Sequence, residues 1–122
     1  MTGRRVRLRE EMERNFPRLS DFFGGFLHED WPEMHGTPDK AVDQAIVEHP
    51  LDLQQQVRRE LANLLEATTD DVDLRSKLND GLGVCVYFRK PAEARAFAVM
   101  AEAKLMNSIK QHFEPNRKGN FR

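Results

Sequence analysis

The chain has almost nothing with which to staple itself together: among its 122 residues there is one cysteine, Cys85, with one tryptophan and one tyrosine. A single thiol cannot close an internal disulfide, so the fold must rest on core burial, and a reducing cytoplasm is the expected setting. No apolar run comes near the roughly 18 residues of a membrane span. The basic start Arg4-Arg5-Val6-Arg7 has no apolar stretch behind it of the kind export needs, so no signal peptide is expected. There is no Gly-rich phosphate cradle, nucleophile elbow or paired CxxC, which removes the common sequence grounds for catalysis. The sequence is therefore read as a non-enzyme with no cofactor and no bound metal.

What is present is enough for one domain. Hydrophobic residues make up 39% and charged residues 32%, a balance that folds in water. Helical spacing dominates. Residues 3–14 carry Arg7/Glu11, Arg9/Glu13 and Glu10/Arg14 at i, i+4 but little to bury, and read as a marginal helix or an N-terminal extension. After Phe16-Pro17, an aromatic helix face is built from Leu19, Phe22, Phe23, Phe26 and Leu27. Gly24-Gly25 within it cost about 1 kcal/mol each relative to alanine, so they either admit another backbone closely or loosen the last turn.

Pro32 and Gly36 mark a loop, and Thr37-Pro38-Asp39 is a strong helix start. The helix that follows turns Ala41, Val42, Ala45 and Ile46 inward and stops at His49-Pro50. A third runs from about Pro50 to Ala67 with Leu53, Val57, Leu61, Leu64 and Leu65 on one stripe. Asp70 and Asp71 begin a short fourth helix bearing Val72, Leu74 and Leu78, ended by Gly81 and Gly83. Residues 84–88, Val-Cys-Val-Tyr-Phe, are β-prone without a partner and read as a buried extended connection, with Cys85 a small buried hydrophobe. The last helix spans roughly Pro91 to Phe113, and residues 115–122 read as a frayed tail. The expected fold is mainly α: a single-domain bundle of about five helices occupying 15–114, with at most one short extended segment near 84–88.

Charge is unevenly placed. Residues 19–80 hold fourteen acidic against five basic side chains, whereas the segments on either side are both net basic. Such asymmetry speaks to partners and association rates rather than to fold, and it favours a basic partner for the middle of the chain. The loop His28, Glu29, Asp30, Glu33, His35 is the densest set of possible metal ligands. Its histidines are seven apart with Pro32 between them, not four apart on one helix face as a zinc protease requires, so a small metal-dependent hydrolase is the weakest reading. Arg95, Lys104 and Lys110 on the last helix are too sparse for nucleic-acid binding beside an acidic middle. Trp31 either closes over the Phe22, Phe23 and Phe26 cluster or anchors a partner.

The string Phe16-Pro17, Leu19, Phe22, Gly24-Gly25-Phe26, His28, Asp30-Trp31, with Thr37-Pro38 beyond it, resembles the opening signature of a family of immunity proteins of contact-dependent growth inhibition. The resemblance implies a bacterial cytoplasmic protein that binds, one to one, the C-terminal toxin domain of a cognate inhibitor. Such toxins are often nucleases, whose basic clefts an acidic surface can reach quickly and cover. On that reading the partner-facing residues are the acids Glu29, Asp30, Glu33, Asp70, Asp71, Asp73 and Asp80, and direct binding to nucleic acid or membrane is not expected. The other reading compatible with the residues is a helical adaptor domain that binds a different protein.

Overall fold

The structure, a computed structural model, describes residues 2–26 and 36–120. They form α1 (Thr2–Asn15), α2 (Pro17–Phe26), α3 (Pro38–Glu48), α4 (Leu51–Ala67), α5 (Asp71–Ser76), a π-helical turn over Lys77–Gly81, and α6 (Pro91–Asn120). Among the described residues there is no strand, so the mainly α, single-domain expectation holds.

Helix α6 is the spine. Its inward stripe Ala94, Phe97, Ala98, Ala101 and Leu105 is buried, and α4, α5 and α3 all pack on it. Three alanines in that stripe let neighbouring helices come close, since interaxial distance is set by the side chains at the contact. From α4 come Val57, Leu61 and Leu64, from α3 Ala41, Val42, Ala45 and Ile46, and from α2 Leu19, Phe22 and Phe23, all buried. Each large side chain removed from water contributes roughly 2 kcal/mol before entropy is charged against it. Phe23 meets Phe97 with ring centroids 5.7 Å apart, and Phe97 meets Phe88 at 5.5 Å, so aromatic packing links α2, the extended segment and α6.

Helix starts follow the sequence closely. Thr37 accepts from the Lys40 N–H at 3.1 Å with Pro38 at the first helical position, and Asp70 accepts from the Val72 N–H at 3.1 Å at the start of α5. One start has a cap supplied from elsewhere: Glu60 of α4 accepts from the Leu19 N–H at 2.8 Å. This long-range bond satisfies an N–H that the first turn of α2 leaves without an intrahelical partner.

Several local expectations need correction. Cys85 is exposed, not buried. Residues 84–88 are extended, so side chains alternate across the chain with period two: Val84 and Phe88 face the core while Cys85 and Tyr87 face out, Tyr87 being 84% exposed. No strand pairs with this segment among the described residues. Instead the Asn79 side-chain amide donates to the Val84 carbonyl at 2.7 Å and to the Val86 carbonyl at 3.0 Å, doing with one side chain what a ladder partner would do. Val72 is exposed as well, because Leu74 and Leu78, one turn apart, take the inward face.

In the first turn of α4 the buried position is Gln54 at 8% exposure, and Leu53 beside it is only half-buried. The Gln54 amide donates to the carbonyls of Ile46 at 2.9 Å and His49 at 2.8 Å at the end of α3, where carbonyls run short of intrahelical donors. Its carbonyl accepts from the Ser108 hydroxyl of α6 at 2.7 Å. One polar side chain thus ties three helices together.

Helix α6 continues to Asn120 rather than ending near Phe113. Pro115 lacks a backbone donor, which removes one helical hydrogen bond but does not forbid the helix from continuing. At the other end, α1 is anchored: Met12 is 1% exposed and Leu8 packs beside it, both against Gly81, where an added Cβ would stand 2.6 Å from Met12 Cγ and 3.3 Å from Leu8 Cγ. Of the two readings of Gly24-Gly25, a close approach or a loosened last turn, the close approach is not seen among the described residues, where an added Cβ at either meets no atom within 4 Å.

Candidate functional site

Asp70, Asp71, Asp73 and Asp80 all lie on α5 and the π turn that follows it. The structure gives most of them work inside the molecule. Asp70 caps α5. Asp71 forms an ion pair with Arg95 of α6, whose guanidinium also donates to the Thr68 carbonyl at 2.6 Å. Asp73 lies 3.4 Å from Lys77, and that ammonium donates to the hydroxyl of buried Thr68 at 3.0 Å. Asp80 is half-buried on the π turn. Asp70 and Asp73 remain exposed, the first while capping α5 and the second while paired with Lys77. Glu29, Asp30 and Glu33, with His28, Trp31 and His35, lie outside the described residues.

A second acidic grouping was not singled out by sequence. Asp43 and Asp39 on α3 flank Lys104 of α6, with oxygens 2.8 and 3.4 Å from its nitrogen. The Asp43 hydrogen bond, opposed in part by desolvation and aided by Asp39, holds the Lys104 ammonium above its ordinary pKa of 10.5. The signal was available as acids four apart on one helix, but their basic partner is 61 residues from Asp43, beyond any local pattern. Two cations weighed for nucleic acid, Arg95 and Lys104, are thus engaged by carboxylates of this chain.

The third feature is a groove of about 620 Å³ where α1, α2 and the turn after the π helix converge, a volume within the range of small binding clefts. Arg9 and Glu13 of α1 form one side, Ser20, Asp21, Gly24 and Gly25 of α2 another, and Asn79 with residues 81–83 and Cys85 the floor and rim. Phe22 and Phe23 take the opposite, buried side of α2, so its groove face is the polar and glycine face of an amphipathic helix. Among the described residues no group of three or more His, Cys, Asp or Glu is placed to hold a metal ion, and no helix is long and apolar enough to cross a membrane.

The described residues define a small all-α domain with a groove between α1, α2 and the turn after the π helix. The chain belongs to the CdiI immunity protein family, whose model matches residues 15–113, in agreement with the resemblance carried by Phe16 through Trp31. The family is one of immunity proteins, which neutralise toxins and are typically not enzymes. The match takes in α2 through most of α6 and begins at the last residue of α1. No curated protein matches the chain, and no solved structure does.

Proposed function

We propose that this protein acts in the cytoplasm as a one-to-one inhibitor of the C-terminal toxin domain of a cognate contact-dependent inhibition system, and that the toxin is a nuclease whose basic cleft is covered by an acidic surface. The family match over residues 15–113 carries the reading. The charge distribution supports the finer part: residues 19–80 hold fourteen acids against five bases, an excess that favours a basic partner for this part of the chain. Of the described members of the expected contact set, Asp70 and Asp73 are the exposed ones, Asp71 and Asp80 being half-buried. Glu29, Asp30 and Glu33 are proposed as contacts as well.

Steered association reaches on the order of 10⁸ M⁻¹s⁻¹ at low salt, against about 10⁵ to 10⁶ for neutral pairs. The test is co-expression with the toxin domain encoded beside this gene, followed by stopped-flow association of the purified pair. Rescue of growth, a one-to-one complex and an on-rate that falls steeply with salt are expected. Replacing Asp70, Asp73 and Asp80 together by Asn should lower the on-rate about tenfold or more. No rescue and no complex would remove the immunity reading, whereas a tight complex whose on-rate ignores salt would remove only the acidic-cover part of it.

A further inference from the structure

Gly24 and Gly25 sit inside α2, where glycine weakens a helix through the freedom it gains on unfolding. A helical glycine is usually explained by a close neighbour or by a backbone angle that other residues avoid. Neither reason operates among the described residues. An added Cβ at either position meets no described atom within 4 Å, and neither glycine has a positive φ. Gly81 shows what an internal reason looks like in the same molecule, with Met12 Cγ 2.6 Å from its absent Cβ. Both glycines face the groove between α1, α2 and residues 79–85, and the same face of α2 presents Asp21, with Glu13 across from it.

We propose that this groove receives an extended, basic loop of the toxin, its main chain lying over Gly24 and Gly25 and a lysine or arginine reaching between Glu13 and Asp21. The proposal rests on the immunity reading and adds to it a place and a mode of contact. Bare helix backbone lets an incoming chain come closer than any side chain would permit. Among the described lining residues, two carboxylates stand against the guanidinium of Arg9, a negative balance complementary to the cationic surface of a phosphate-cleaving enzyme. Tyr87, two residues beyond groove-lining Cys85, is 84% exposed. Tyrosine in this situation is a common hot-spot anchor. Asn79 and Gly81 of the π turn line the groove beside α1 and α2.

The deciding variant is Gly25→Gln, with Gly24→Gln as its repeat and Asp21→Asn as the charge probe, each titrated calorimetrically with the toxin domain encoded beside the gene. Glutamine is a better helix former than glycine, so the free proteins should melt at or above the wild-type temperature. Binding should weaken at least about tenfold for either glutamine variant, and Asp21→Asn should weaken it several-fold while flattening the salt dependence. Wild-type affinity in both glutamine variants would overturn the proposal and leave the immunity reading standing. A melting temperature several degrees below wild type in both would also overturn it, by showing that the glycines serve this chain's own packing. Failure of the wild type itself to bind the toxin domain would remove the immunity reading and this groove's role with it.

Discussion

Gln54 offers the sharpest test of how the bundle is held. Its amide is buried and makes three hydrogen bonds, to the carbonyls of Ile46 and His49 and from the Ser108 hydroxyl. Gln54→Leu keeps the volume and removes all three. A net hydrogen bond is worth about 1 kcal/mol. The Ile46 carbonyl keeps the His49 N–H at 3.2 Å, Ser108 is near enough to the surface to find water, and the added apolar burial returns roughly 1 kcal/mol. The expected loss is therefore about 2 kcal/mol, most of it from the His49 carbonyl left at the end of α3. Gln54→Glu should cost more, at least about 3 kcal/mol, because a carboxylate would face two carbonyls with nothing to donate. Ser108→Ala should cost least, about 1 kcal/mol or under. Urea unfolding with linear extrapolation measures all three. A Gln54→Leu variant as stable as wild type, or the order Ser108→Ala worse than Gln54→Leu, would refute the view that this side chain clamps α3, α4 and α6.

Gly81→Ala should destabilise by about 1 to 3 kcal/mol through overpacking against Met12, and should cost clearly less in a Met12→Ala background; equal costs in the two backgrounds, measured by the same denaturation, would contradict the contact. Arg95→Ala removes the Asp71 ion pair and the bond to the Thr68 carbonyl and should cost roughly 1 to 3 kcal/mol. Arg95→Lys should recover only part of this, since an ammonium cannot present the planar fork. Lys104 contributes through Asp43 and Asp39, and its raised folded pKa means that this contribution is complete below the unfolded value of 10.5 and disappears as pH rises through the higher folded one. Lys104→Met should thus melt lower than wild type at pH 7, by an amount of order 0.5 to 1 kcal/mol, and the gap should close at strongly alkaline pH; a gap that widens there would reverse the sign of the interaction.

The sequence by itself determined where most helices begin and which faces they bury. Thr37-Pro38-Asp39 starts α3 and the 3.6-residue recurrence of apolar groups marks the cores of α2, α3 and α6, because capping and amphipathicity are local properties written within a turn or two of chain. It also carried the family, through an unusual run of residues from Phe16 to Trp31. The tertiary structure decided what depends on partners far apart in the chain: Glu60 capping α2, Lys104 gathering Asp39 and Asp43, Arg95 taking Asp71 out of the freely available acids, Gln54 rather than Leu53 turning inward. Asn79 fixed the extended run 84–88, and with it the exposure of Cys85 and Tyr87 that an apolar reading of the same five residues had placed inside. Only folding shows that the glycines of α2 and the acids of α1 and α2 border one groove. The division has one physical cause: hydrogen bonds and ion pairs between distant segments leave no periodic trace in a single sequence, whereas helix burial does.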